Sequence, residues 1–389
     1  MSRLSAPPLS LYVHLPWCVR KCPYCDFNSH VHKGDTPYEE YVDALLWDLS
    51  QDLVMAGDRP IETVFLGGGT PSLFAPEHID RLLSGVRARC AVVKDVEVTM
   101  EANPGTIEHG RFSGYRDAGV NRVSLGAQSF GARQLELLGR IHGPAEIHRA
   151  LEELETAEIA NFNLDLMHGL PEQVAEDAAS DMEMALEHRP PHLSHYQLTL
   201  EPGTVFHSRP PTLPDEDLLA DIQETAQRRL EAAGLRQYEV SAWARPGYEC
   251  RHNLNYWRFG DYLGIGAGAH GKLTDVATDR IMRTEKAKQP RDYLARAAGR
   301  ESLGQVREVA RSWRGFEYLL NGLRLCEGVT HAEFEARTGL AITAITPGLE
   351  EAAGRGLLLW EQASIRATPL GMRFLSDLQA IFLPEALTE

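Results

Sequence analysis

HLPWCVRKCPYCDFNSH, residues 14–30, follows a short β-rich run and sets three cysteines, Cys18, Cys22 and Cys25, within eight residues. The spacing is C-x3-C-x2-C. Iron–sulfur clusters are ordinarily held by four thiolates, so three local ones with no close fourth leave one iron open to an outside ligand. A structural zinc site instead wants four closed ligands. His14, His30 and His32 flank the loop and each is a candidate for that fourth position. Cys90, Cys250 and Cys326 are scattered, so the clustering reads as metal or redox chemistry rather than a disulfide scaffold.

Outward from this loop, short β-rich runs alternate with amphipathic stretches. The expected strands are Leu11–Leu15, Thr63–Leu66, Val96–Met100, Arg122–Leu125, Asn163–Leu166 and His195–Leu200. The expected helices are Tyr38–Val54, Pro76–Arg89, Ile107–Ala118, Pro144–Ala157, Val174–Glu187 and Asp215–Ala233. Strand-then-helix units predict parallel strands with right-handed crossovers. Their number falls short of the eight that close a full barrel, which leaves an open barrel or a doubly wound sheet, and both place their chemistry at the carboxyl ends of the strands. The cysteine loop, Gly67–Gly68–Gly69, Glu101 and Gln128 fall at such ends, and Asp165 lies in the fifth strand.

Residues 1–240 are therefore read as the α/β core. Residues 241–305, rich in Gly, Arg and aromatics, are read as an irregular extension and linker. Residues 306–389 are read as a mostly helical, winged-helix-like module, with helices at Ser312–Leu325, His331–Arg337, Ala344–Gly354 and Thr368–Ile381 and an apolar segment at Gly356–Trp360. Its ITAITPGLEEAAGRG stretch, residues 342–356, carries Arg355 against Glu350 and Glu351, so it reads as a packing element rather than a DNA reader.

The 389 residues are 43% hydrophobic and 24% charged, ordinary for a soluble globular chain. A formal charge of −16 counts against broad nucleic-acid binding, which needs concentrated Lys and Arg. No apolar run approaches the ~20 residues of a membrane span. The N-terminus lacks the apolar stretch of a secretory signal, so a cytoplasmic location is expected.

Tyr24 completes a CxxxCxYC pattern, and here the chain resembles the radical-SAM superfamily. The resemblance implies a partial (β/α)6 barrel in which a [4Fe–4S] cluster on Cys18, Cys22 and Cys25 chelates S-adenosylmethionine (SAM) through its open iron. It further implies electron transfer that cleaves the C–S bond of SAM. VFLGGGTPS, residues 64–72, resembles the GGGTPS motif of these proteins, which assigns Gly68, Gly69 and Thr70 to the methionyl end. Glu101, Gln128, Arg140 and Asp165 match, in order and spacing, the SAM-binding residues of the coproporphyrinogen dehydrogenase-like branch. That match implies Asp165 at the ribose hydroxyls, Arg140 at the carboxylate, and Tyr12 and Tyr24 as further contacts.

Two members of the branch compete. Oxygen-independent coproporphyrinogen III oxidase, an oxidoreductase acting on a tetrapyrrole, continues its motif as CxxxCxYCxC. This chain has Phe27 at the fourth position and starts 17 residues before Cys18, where that resemblance expects a longer extension. CDFNS instead resembles the HemW heme chaperones, as does HNLNYW within RHNLNYWRFGDYLGIGAGAHG, residues 251–271. That second resemblance implies heme as a bound group, with His252 as the candidate iron ligand and His270 and Cys250 as weaker ones. It implies delivery to apo-hemoproteins such as respiratory enzymes, without required turnover of SAM. A homodimer and peripheral membrane association are left open.

Overall fold

The computed structural model describes residues 4–32, 34–106 and 110–384. Six parallel strands, β1 (Leu9–Leu15), β2 (Ile61–Gly68), β3 (Val92–Ala102), β4 (Arg122–Gln128), β5 (Phe162–His168) and β6 (His192–Gln197), lie side by side in chain order. Their crossovers are α1 (Tyr38–Ala56), α2 (Pro76–Arg87), α3 (Arg111–Ala118), α4 (Pro144–Thr156) and α5 (Ala175–Glu187), and α6 (Glu216–Ala232) follows β6. The helix expected from Ile107 starts at Arg111, and residues 107–109 lie outside the described residues. The strand expected at His195–Leu200 sits further back, at His192–Gln197.

Strand alternation explains the layering, since successive side chains point to opposite faces. In β1, Leu9, Leu11, Val13 and Leu15 join the apolar core. The alternate positions Ser10, Tyr12 and His14 make polar contacts on the other face. The helices cover the apolar face. In α4, buried Ile147, Ala150, Leu151 and Leu154 recur at helical spacing, and the Glu146 carboxylate accepts the Gly143 N–H at the helix start.

Residues 241–305 are not an irregular linker. They extend the sheet, together with the residues just before them. On the β6 edge, β7 (Arg236–Glu239) and β8 (Ala242–Ala244) form an antiparallel pair, followed by the short helix α7 (Arg251–Trp257). On the other edge, β9 (Asp261–Ile265) runs parallel to β1 and is continued by antiparallel β10 (His270–Asp275), β11 (Arg280–Lys286) and β12 (Gly304–Glu308). The helix α8 (Pro290–Ala298) lies between the last two. The full order is β12-β11-β10-β9-β1-β2-β3-β4-β5-β6-β8-β7, an open sheet. The extension reads as irregular because its strands mix charged and apolar positions, and its charges are satisfied by burial in pairs. Lys272 meets Asp261 at 2.8 Å. Lys286 lies between Asp48 at 2.6 Å and Asp52 at 2.7 Å, fastening β11 to α1.

The C-terminal unit carries α9 (Arg314–Gly322), helices His331–Thr338 and Thr346–Gly354, and a three-stranded sheet ordered Val329–Thr330, Ser364–Ala367, Leu358–Trp360. The expected helix at Thr368–Ile381 is broken at Phe374 into Pro369–Arg373 and Leu375–Ala380. Its core is shared with the extension: Phe259, Ile281 and Val309 pack with Tyr318, Leu319 and Phe334. No helix among the described residues is long and apolar enough to cross a membrane.

Replacing Lys286 with Ala should cost about 3–5 kcal/mol, because two buried carboxylates lose their cation. Urea denaturation checks this, and a loss under ~1 kcal/mol would contradict it.

Candidate functional site

The cysteine loop is tied down by its own backbone and by the far sheet edge. Trp17–Cys18 pairs with His30–Val31, closing the loop at its base. The Asn28 amide donates to the carbonyls of Ala267 and Lys288, both at 2.9 Å, and the His14 ring meets the Asn28 carbonyl at 2.9 Å. Asn28 of CDFNS thus anchors the loop, while Phe27 is 58% exposed at its rim. Cys18, Cys22 and Cys25 open into one cavity of about 480 Å³. Burial pushes the Cys18 and Cys25 thiols up, so thiolates there call for a cationic partner such as iron. Among the described residues no three His, Cys, Asp or Glu side chains converge on a single-ion geometry. The three thiols border one shared space.

Strand ends supply the rest of the wall. Tyr24, Gly68, Gly69, Thr70, Glu101, Gln128, Arg140 and Asp165 all line the same cavity. Tyr12 does not; it lies behind, with its hydroxyl 2.9 Å from His14 Nδ1. Gly68 has φ +111°, and a Cβ there would fall 2.4 Å from the His14 ring. A Cβ on Gly69 would fall 2.6 Å from the Trp17 carbonyl oxygen. These two positions admit no side chain, so they offer bare backbone to the cavity. Gln128 is bent into the cavity by a left-handed backbone, φ +70°, and its carbonyl oxygen accepts from Tyr196 Oη at 2.7 Å. Thr70 Oγ1 donates to Cys18 Sγ at 3.4 Å and Arg140 Nη1 to Cys22 Sγ at 3.6 Å.

The cavity floor is acidic and buried. Burial, then the neighbouring Asp165, raises the Glu101 carboxyl to about 7, against one lowering contact from the Gly68 N–H at 3.0 Å. Burial also raises Asp165. Arg140 Nε is buried without a hydrogen-bond partner among the described residues. A sulfonium nucleoside brings an ammonium, ribose hydroxyls and a carboxylate, which answer these two acids and this guanidinium in kind.

Behind Asp165 runs a chain of hydrogen bonds that sequence reading missed. Asp165 accepts from Ser124 Oγ at 2.9 Å and Asn163 Nδ2 at 2.8 Å. Asn163 Oδ1 accepts from His192 Nδ1 at 2.7 Å and Ser194 Oγ at 3.1 Å. His192 Nε2 accepts from Tyr238 Oη at 2.8 Å, and the Cys250 N–H reaches that same oxygen at 3.4 Å. Burial pushes His192 well below the usual imidazole range, so it stays neutral and holds this one-way donor order. Alternation in HLSHYQ, with the strand started at His192, would have placed His192, Ser194 and Tyr196 on the inner face.

His252 is not brought to the cavity. It is 1% exposed, with Nδ1 bonded to Thr63 Oγ1 at 2.8 Å and Nε2 to Tyr256 Oη at 3.0 Å. Burial, with Arg122 nearby, lowers it to about 3. Both ring nitrogens are engaged and the ring packs on Phe65 at 5.1 Å, so this fold presents no His252 lone pair to a heme iron. Cys250 is likewise fully buried, its thiol raised by burial to about 12. HNLNYW instead plugs the barrel: Asn255 Nδ2 donates to Ser10 Oγ and the Asp261 carbonyl, and the His252 N–H meets Glu97.

Residues 12–185 match the Radical SAM superfamily and residues 312–374 match the HemN C-terminal domain. The chain is 52% identical to the heme chaperone HemW of Escherichia coli, over 97% of this chain and 99% of that one. The chain belongs to the HemW family. It is 31% identical to the Bacillus subtilis HemW, over 97% and 99% of the two chains. It is also 36% identical to the mouse mitochondrial radical S-adenosyl methionine domain-containing protein 1, over 97% and 87%. Among solved structures, coproporphyrinogen III oxidase (HemN) of E. coli matches with a TM-score of 0.82 at 22% identity, covering 98% of this chain and 91% of that one. That likeness shows a shared fold. Family membership brings a [4Fe–4S] cluster and SAM as the expected groups.

Glu101 binds its proton more tightly folded than unfolded. Its stabilising contribution is therefore complete below about pH 4.5 and fades as pH rises through about 7. Ligand-free Glu101→Gln should lose less stability than wild type between about pH 5 and about pH 8 in urea titrations; parallel pH profiles would refute the assignment. His192→Phe should weaken SAM binding about tenfold through Asn163 and Asp165, with cluster iron unchanged. Equal SAM affinity by calorimetry would remove His192 from the site.

Proposed function

We propose that this chain is a cytoplasmic heme chaperone on a radical-SAM scaffold, binding heme and passing it to apo-hemoproteins such as respiratory enzymes. The observation that carries this is end-to-end identity of 52% with a protein named for that role. Phe27 at the position of the oxidase's fourth cysteine supports it. In this reading Cys18, Cys22 and Cys25 would hold the cluster. Gly68, Gly69 and Thr70 would face the methionyl end, Arg140 its carboxylate, and Glu101 and Asp165 the ammonium and ribose. Gln128 and Tyr24 would shape the remaining wall, with Tyr12 behind it supporting His14. When bound, the cluster and SAM supply one-electron chemistry, and the protein supplies orientation and exclusion of water. Asp165 is held in place by Ser124 and Asn163, and Gln128 by Tyr196, so the polar wall is set before any ligand arrives. Association into a homodimer and peripheral contact with a membrane belong to the same proposal.

Anaerobically reconstituted protein should give a Soret band on addition of hemin. With SAM, reductant and coproporphyrinogen it should yield no vinyl-bearing product. Appearance of that product would overturn the chaperone reading in favour of a tetrapyrrole oxidoreductase.

A further inference from the structure

With His252 enclosed, a heme iron needs another protein ligand. The two exposed histidines among the described residues are His207 and His270. His270 opens a cleft of about 710 Å³ between the β10–β12 face and α9, and His207 does not line it. That volume lies within the range of cofactor sites. Neither ring nitrogen of His270 has a hydrogen-bond partner among the described residues. Burial lowers its pKa, with Glu285 opposing and Lys288, Arg283 and Arg307 adding to the fall, so the ring is neutral and able to ligate.

The cleft's remaining chemistry has one sign and one apolar wall. Its carboxylates already have cationic or amide partners. Glu317 takes Arg283 at 2.7 Å, Glu308 takes Arg280 at 2.6 Å, and Glu285 takes Lys288 at 3.4 Å and Gln305 at 3.2 Å. Arg307, opposite Arg283 in the ladder, has no ion-pair partner among the described residues. Trp313 and Phe316 stand edge to face at 5.8 Å, and Trp313 and Leu320 are 43% and 41% exposed. A cleft between a sheet and a helix is commonplace by itself. A free imidazole, an unpaired guanidinium and exposed flat apolar groups together match a planar iron macrocycle with a carboxylate edge.

We propose that ferric heme docks in this cleft, with His270 as an axial ligand, Arg307 against a propionate, and Trp313, Phe316 and Leu320 against the ring. The placement rests on the heme-chaperone reading and names where that ligand is held.

The test is a hemin titration of the full-length reconstituted protein, with the cluster's absorption subtracted. His270→Ala should lose the imidazole-ligated low-spin bands, and added imidazole should restore them. Arg307→Glu should weaken binding about tenfold with cluster iron unchanged. Leu320→Glu, also on the surface, should weaken it independently of the ligand. If His270→Ala and Leu320→Glu both bind hemin with wild-type affinity and spectrum, the cleft is overturned and the chaperone reading stands. If wild type binds no hemin, both fall.

Discussion

Parallel strands bury both of their faces, and here one of those buried faces is polar. That constraint organises the molecule. Apolar residues on the outer face pack under the helices, so the sheet's stability is set there. The inner face is left to hydroxyls, amides, imidazoles and carboxylates, each of which needs a partner in a place without bulk water. Toward the carboxyl ends of the strands the cavity opens, lined by the buried carboxyls of Glu101 and Asp165 and by Arg140, whose Nε has no hydrogen-bond partner among the described residues. At the opposite ends α7 supplies partners, through His252, Asn255 and the backbone N–H groups that meet Glu97. The cavity and the plug are two answers to the same requirement.

Much of this was legible in the residues. The cysteine spacing, the glycine run and the polar residue at each strand end mapped onto one wall, because strand ends in a parallel sheet all open on the same rim. Strand boundaries were read a few residues short for β1 to β5, where apolar alternation fades before the backbone pairing does. The extension escaped because periodicity is a weak guide where strands bury ion pairs: LGIGAGAHG and the charged β11 look like loop, yet Lys272 and Lys286 are among the deepest cations in the chain. The inner hydrogen-bond chain escaped for a related reason. A His, an Asn and a Tyr far apart in sequence announce nothing until topology sets β5, β6, β8 and β7 side by side in one sheet.

HNLNYW shows how a motif's chemistry depends on where the fold puts it. An imidazole beside a tyrosine and a tryptophan suggests a porphyrin seat when read as exposed chain. Seated in α7 at the barrel floor, the same imidazole bridges Thr63 and Tyr256, and Trp257 lies beneath the Arg324 guanidinium at 4.2 Å. The motif thereby joins the barrel to the C-terminal unit, while the neighbouring His270 is left facing outward.

The packing of Phe259, Ile281 and Val309 against Tyr318 and Phe334 has an evolutionary corollary. A seam built from both sides at once cannot be inherited by halves. Deleting the chain beyond residue 310 would strip the cover from Phe259 and Ile281 of the barrel's own extension and from the adjoining Val309. A descendant that discarded its tail would have to recolour that face with polar residues or find a replacement lid, so barrel and tail are expected to travel through a lineage together.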